Sequence, residues 1–459
     1  MATVEKNYRE IAAKHGVELE LVRPLDHTDR LADLARILGQ EDVRFPIPPD
    51  MAEDYYRRAA ERVPFGVGTL TGQSVDLGPY ENFQHYEQYS MEEHLSWACL
   101  VADQQRTKHR YACREYLEGE KMFAIGGHVI PDYYLLNAQI YQQTGWQLAT
   151  VSEIIPAELF FTCHSNRFFP VTTFMRALEQ DYLQEPDIGH DIAGHVATFT
   201  IPAVAAVMKN HGEARDQIYA ERDRMLAAAC GDRERAQIQS WADELLLYAG
   251  RIYWFTVEFG LVMQEGEIRD FGAGILSSPG ETTFSIDSPE SNRILINPSD
   301  DRDLLRLAVT DYLISEYQKT YFVMSSFSEL ESLTCERIVQ AAKRARQMLH
   351  YTWREIAPGD RVLHVGNVMV SANEKYWRLL AGCPVDECLT RAAIRNLRMV
   401  TQPTFDPEQG DRWLRAPMPS IPPAVVGAFQ QRVAQGEFIS DTLPVSWDFD
   451  PDRRNQPGG

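Results

Sequence analysis

Residues 185–195, EPDIGHDIAGH, place two histidines and three carboxylates (Glu185, Asp187 and Asp191) within eleven positions. Further along, Glu258 stands inside the apolar run IYWFTVEFGLVM. A carboxylate among aromatic side chains is costly to bury unless a cation, a metal or hydrogen-bond donors meet it. Any fold of this chain therefore has to bring such a partner to Glu258. Trp254 lies four residues earlier and shares that carboxylate's helical face.

Two histidines plus one carboxylate from a second helix form the facial triad of non-haem iron(II) oxygenases, which leaves coordination positions open for oxygen and a co-substrate. Here the histidine spacing is 195 − 190 = 5, whereas the helical metalloprotease pattern needs four. On a straight α-helix, at about 100° per residue, the second ring would point well away from the first. The spacing predicts a helix that ends between the histidines, with Gly194 permitting the break, and it argues against a zinc protease. Each residue also has an ordinary structural use: a hydrogen-bonded core histidine, or a buried ion pair at Glu258. Residue chemistry alone leaves both readings open.

Hydrophobic periodicity predicts a mainly α protein with small β elements, an α+β class. Helices are expected over residues 30–38, 51–62, 91–105, 110–123, 132–144, 202–210, 213–235, 237–265 and 336–356. Strands are expected over 147–151, 282–285 and 293–296, with a strand or hairpin at 361–371. The glycine-rich stretch 66–78 reads as a linker or surface loop, and 448–459 as disordered. These features divide the chain into an N-terminal extension (1–80), a central domain (81–335) and a C-terminal extension (336–459). In the last, Ile338, Ala342, Ala345, Leu349, Trp353 and Ile356 form a stripe that serves either as a homodimer seam or as internal packing.

The 459 residues carry a formal charge of −21, 45 basic against 66 acidic. That balance excludes nucleic acid and anionic lipid as partners. No apolar run is long enough to span a membrane, and the opening MATVEKNYREIAAKHG has no signal-peptide core. Seven scattered cysteines do not form a disulfide framework. A soluble, cytoplasmic protein is expected.

Six ordered blocks resemble the pterin-dependent aromatic amino acid hydroxylases. The first two are the 185–195 motif and YWFTVEFGL at 253–261. The third is FGAGILSS at 271–278 with Gly280 and Glu281. The fourth is Thr144-Gly145-Trp146 followed by Ile154-Ile155-Pro156 and FFPV at 168–171. The last two are ACREYL at 112–117, and YFV at 321–323 with Ser326 and Phe327. Together they cover roughly residues 85–332, and DYLQ at 181–184 gives them a bacterial character.

The resemblance implies a hydroxylase catalytic domain in which His190, His195 and Glu258 bind iron(II) and Asp187 orients the His190 ring. It implies that Arg176 clamps a substrate carboxylate and that Ser277 holds that carboxylate or the His190 ring. Pro186, Trp254 and Phe259 would wall the slot for the aromatic ring. Ile154, Ile155 and Pro156 would face the pterin edge, Phe160 would stack on it, and Asp191 would reach it through water. Tyr312 aligns with a tyrosine near the active-site mouth.

The implied activity is monooxygenation of an aromatic amino acid. Iron(II), a tetrahydropterin (tetrahydrobiopterin or a relative) and O2 generate an iron(IV)-oxo species that attacks the ring. Phenylalanine is the first expected substrate, with tryptophan or tyrosine, or an unusual ring position such as meta, as alternatives. A zinc hydrolase and a non-catalytic binding relative are the alternatives of other classes. The sequence departs from the family pattern at Glu153, Gly189, Ala193 and Ala197. The small residues at 189 and 193 are expected either to enlarge the pocket or to loosen the packing.

Overall fold

The computed structural model describes residues 2–178, 185–367, 374–382, 387–401 and 421–437. The expectations for 181–184, 368–371 and 448–459 lie outside those residues. The chain divides into two compact units, Met1–Gly212 with Val257–Asp287, and Glu213–Thr256 with Ser288–Gly459.

The first unit contains helices α1 (Ala2–His15), α2 (His27–Leu38), α3 (Pro49–Ala60), α4 (Met91–Tyr111), α5 (Arg114–Met122), α6 (Tyr133–Thr144), α7 (Ala157–Ser165) and the single turn α8 (Ile188–His190). A reciprocal capping box between Ser90 and Glu93 starts α4. Asp132 caps the first turn of α6, which ends at Gly145 with φ +76°, a left-handed conformation that favours glycine. Strands β1 (Gln147–Thr150) and β2 (Phe168–Val171) pair in parallel around the α7 crossover, and all of their residues are buried. The sequence patterns did not reveal β2, because four buried residues containing a proline carry no alternation.

The N-terminal residues belong to this unit's core. Ala12, Val17 and Val22 pack with Leu95, Ala98 and Cys99 of α4. Residues 66–78 are not a surface linker. Gly68 donates its N–H to the Leu148 carbonyl at 3.0 Å, and Val75 and Leu77 are buried beside Val151, Ile155 and Phe168. Gly68 is required by close approach, since a Cβ there would lie 2.3 Å from Asn137 Nδ2.

Helix α9 (Pro202–Ala228) merges two predicted helices into one. The helix predicted over 237–265 stops early. Helix α10 (Asp232–Tyr253), in the second unit, is followed by a π turn over Trp254–Glu258 and then, in the first unit, by β3 (Gly260–Gln264) and β4 (Glu267–Asp270). Glu265 and Gly266, with φ of +55° and +85°, form the two-residue hairpin loop between these strands. Positive φ at both loop positions is the type I′ signature, here written with glutamate instead of the usual asparagine. Helix α11 (Ala273–Leu276) and helix α12 (Pro279–Asp287) follow. The latter replaces the strand predicted at 282–285. Ser278 Oγ accepts from Glu281 N, and Pro279 opens the helix, so a start signal outweighs the β-branched threonines.

In the second unit, β5 (Asn292–Ile296) pairs in parallel with β6 (Thr320–Met324) and antiparallel with β7 (Arg361–His364). Helix α13 (Asp301–Ala308) packs against α14 (Cys335–Ala345), which also packs on α10. The single helix predicted over 336–356 ends at Ala345, because Tyr351 bridges to Thr310 and draws the aromatic stretch into extended pairing. Ile338, Ala342, Ala345, Leu349 and Trp353 are all buried. The apolar stripe therefore packs within this unit and does not form a dimer seam. Helices α15 (Glu374–Leu380), α16 (Glu387–Val400) and α17 (Pro423–Ala434) share a further apolar cluster around Tyr376, Leu397 and Phe429. Among the described residues, no single helix is long and apolar enough to cross a membrane.

Candidate metal centre

Helix α8 continues as a π turn over Asp191–His195 and then as a 3₁₀ turn over Val196–Thr200. The predicted break between the histidines is absent. The π turn's i→i+5 bonding brings positions five apart into line, so His190 and His195 face each other with Nε2 atoms 3.3 Å apart. Gly194 is used for proximity and not for a break: a Cβ there would lie 2.8 Å from the Ala273 carbonyl. The second π turn, Trp254–Glu258, delivers the third group. Glu258 Oε1 lies 3.2 Å from His195 Nε2, and Oε2 lies 3.9 Å from His190 Nε2. The three donor atoms lie within 4.8 Å of one another.

Protonation favours cation binding. Burial pushes His190 down to about 4, and the neighbouring His195 adds to the effect. Burial opposes ionisation of Glu258, but His195 and His190 outweigh it and hold the carboxyl below its ordinary value. Ser277 Oγ donates its single proton to the Gly274 carbonyl and therefore accepts from His190 Nδ1, at 3.0 Å each. This fixes the His190 tautomer with the Nε2 lone pair facing Glu258. Two imidazole nitrogens and a carboxylate thus converge on one point, a place for a proton or a cation. As a nitrogen–oxygen donor set they fit a divalent transition metal.

Burial also pushes His164 down to about 3. Both rings are neutral in the folded chain well below the ordinary histidine value of 6.5. Between that value and about 4, the unfolded state binds more protons than the native state, so stability falls as pH falls. Asp191, whose carboxyl burial raises to about 7, acts in the opposite sense over the same range, so the histidine contribution is read as a difference. Between about pH 7 and 4 the chelator-treated parent is expected to lose more stability to denaturant than a His164→Phe variant does, and equal losses would contradict the assignment.

Asp187 does not contact the His190 ring, whose other nitrogen belongs to Ser277. It accepts the His190 backbone N–H at 3.0 Å and pairs with Arg176 through Nε at 2.8 Å and Nη2 at 2.7 Å. Opposed by burial, the Arg176 bonds still hold its carboxyl below the usual range. Asp191 Oδ2 accepts from Thr172 N at 2.6 Å and Thr172 Oγ1 at 2.8 Å, tying the π turn to the end of β2. Burial pushes its carboxyl up to about 7.

In the loop before α7, Ile155 is buried while Ile154 and Pro156 are exposed. Phe160 is half-buried, its ring 4.3 Å from His164. Pro186 is half-buried beside Asp187. Phe259 is buried, and a Cβ on Gly274 would lie 2.9 Å from its Cζ. In the second unit, Trp254 stacks on Tyr312 at 4.0 Å. Glu153 is exposed, and Ala197 is buried, its carbonyl close to Gly119. At 189 the space a side chain would take is occupied by the half-buried Leu100, whose Cδ2 would lie 2.3 Å from a Cβ there.

Sequence reasoning did not single out Thr172, Gln104, Lys108, Tyr116 or Glu120. Gln104 and Lys108 had a readable signal. They stand in the stripe Trp97, Val101, Gln104, Lys108 and Tyr111, whose three- and four-residue spacing marks one face of α4, and all five are buried.

A sequence model described as biopterin-dependent aromatic amino acid hydroxylase matches residues 82–225 and 239–354. The phenylalanine-4-hydroxylase of Chromobacterium violaceum is 33% identical over 313 residues, covering 67% of this chain and 96% of that protein. The phenylalanine-4-hydroxylase of Caulobacter vibrioides is 34% identical over 284 residues, 62% of this chain and 87% of that protein. A crystal structure of the C. violaceum phenylalanine hydroxylase with bound iron(III) and 7,8-dihydrobiopterin superimposes with a TM-score of 0.52 at 34% identity. It covers 64% of this chain and 96% of that one.

Proposed function

Because the chain belongs to the biopterin-dependent aromatic amino acid hydroxylase family and is a pterin-dependent aromatic amino acid monooxygenase, we propose that its substrate is phenylalanine. The convergence of His190, His195 and Glu258 carries the catalytic reading. The phenylalanine-4-hydroxylase relatives support phenylalanine as the substrate.

When bound, iron(II) and tetrahydropterin supply oxygen activation. The chain supplies the positions. His190, His195 and Glu258 hold the metal, and Ser277 keeps the His190 proton on Nδ1. Arg176, oriented by Asp187, grips the substrate α-carboxylate with its planar fork. Pro186 and Phe259 wall the ring slot and exclude water from it. Ile155 anchors the loop that turns backbone toward the pterin edge, and Phe160 offers it a stacking face. Asp191 accepts both of its bonds from Thr172 on Oδ2, and Oδ1 is the oxygen for a water-mediated contact to the pterin.

The central activity lies in residues 81–335, flanked by the extensions 1–80 and 336–459. The cytoplasm is its compartment, a reading supported by cysteines that are thiols and not disulfides at Cys99, Cys113, Cys163, Cys230 and Cys335 among the described residues. Homodimerisation through the C-terminal extension would use surface outside the buried stripe, such as the half-exposed Trp377, and light scattering of the full chain reads it.

The test is an aerobic assay of phenylalanine, tyrosine and tryptophan with iron(II) and tetrahydropterin, read by product mass and retention. The expected result is singly hydroxylated phenylalanine as the fastest product. A faster product from tryptophan or tyrosine overturns the substrate. No product from any of the three, with metal bound, overturns the activity.

A further inference from the structure

Helix α4 carries a buried polar pair that the reaction chemistry does not use. Lys108 and Gln104 are one helical turn apart on its inward face, and both are almost fully buried. Lys108 Nζ shares its three N–H groups among four acceptors: Glu120 Oε1 at 2.6 Å, the Ala193 carbonyl at 2.8 Å, Tyr116 OH at 3.0 Å and Gln104 Oε1 at 3.2 Å. Tyr116 OH also donates to the Ala193 carbonyl. Ala193 lies within the π turn that ends on His195. Gln104 Nε2 donates to the Ser277 carbonyl at 2.9 Å, and Ser277 Oγ is the partner of His190 Nδ1. One helix face thus reaches both histidines by separate routes, through the π-turn backbone to one and through Ser277 to the other.

A helix would satisfy its packing here with two apolar residues, as Trp97 and Val101 do on the same stripe. Burying a lysine with a glutamate gives little net stability over such residues. What the charged pair adds is direction. An ammonium with three N–H groups, pinned by Glu120 and Tyr116, can hold one particular carbonyl in one place.

We propose that Lys108 and Gln104 are positioning residues that hold the Asp191–His195 π turn and Ser277 in register, and so set the spacing of His190 and His195 for the metal. The inference rests on the metal-centre reading. It assigns these side chains no contact with substrate, pterin or metal.

The test uses the full chain with cobalt(II) as the probe. Its dissociation constant is read by competition with a chromophoric chelator, and its coordination geometry by the visible d–d spectrum. The variants are Lys108→Met, Lys108→Met with Glu120→Met, and Gln104→Met. The single lysine variant strands Glu120 as a buried charge and can fail to fold. The double variant removes both charges, and Gln104→Met strands none. Outer partners of metal ligands typically contribute 10–100-fold in affinity. Each folded variant is expected to bind cobalt about 10-fold or more weakly, with altered d–d bands, while the circular dichroism of the metal-free protein stays as in the parent. Wild-type affinity and spectrum in the folded double variant overturn the role of Lys108, and in Gln104→Met they overturn that of Gln104. Failure of the parent protein itself to bind cobalt overturns the metal-centre reading instead.

Discussion

Glu258→Gln is expected to lose the metal and to lower pterin-dependent turnover by more than about 100-fold, since even an outer partner of a ligand is worth 10–100-fold. Glutamine keeps the size and removes the charge. The two imidazoles would then face a neutral amide, and nothing would offset the desolvation of a divalent cation in a buried site. The fold should survive, because glutamine keeps the volume and its amide can still hydrogen-bond His195 Nε2, which the carboxylate meets at 3.2 Å. Iron content after anaerobic loading, and oxygen uptake in the presence of tetrahydropterin, read the result. Full occupancy together with parental turnover would end the facial-triad assignment.

Asp187→Ala is expected to have the largest effect on stability. Asp187 is fully buried and Arg176 nearly so, and removing one partner of such a pair leaves an uncompensated buried charge that costs about 3–5 kcal/mol. The His190 N–H cap is lost as well, worth about 1 kcal/mol. Urea denaturation of the metal-free proteins near neutral pH reads the difference. The sign with pH follows from the depressed folded value of Asp187. Its stabilisation is complete above the ordinary carboxylate value and disappears as pH falls through the lower, folded value. The gap between parent and variant should therefore narrow in acid. A variant that unfolds at the parental urea concentration would show that Arg176 finds another anion.

The start of helix α4 and the whole of α6 were legible from three- and four-residue apolar spacing, but α4 runs on to Tyr111 past the expected end at 105. The donor residues of the metal site were legible as chemistry, since two histidines and a lone carboxylate among aromatics have few other uses. Their geometry was not legible. A π turn has no propensity signature, and the five-residue interval reads as an interruption unless the bonding pattern is seen. Strand β3 was hidden at the end of a strongly helical run, because the hairpin loop at Glu265 and Gly266 lacks asparagine. The partner of His190 Nδ1 was narrowed to Ser277 or Asp187, and only distance distinguishes a ring contact from a backbone cap.

The π turn at Asp191–His195 makes the site intolerant of a change in length. Removing one residue between the histidines would let the segment relax to an α-helix with an i, i+4 pair, the spacing at which a helix presents two imidazoles to zinc. The rings would still meet, but Ala193, Gly194 and the groups that grip them would each be out of phase with α4 and α11. Insertions and deletions in this interval should therefore be far rarer than point changes wherever oxygen chemistry is kept. Helical phase, as much as ligand identity, separates this centre from a hydrolytic one.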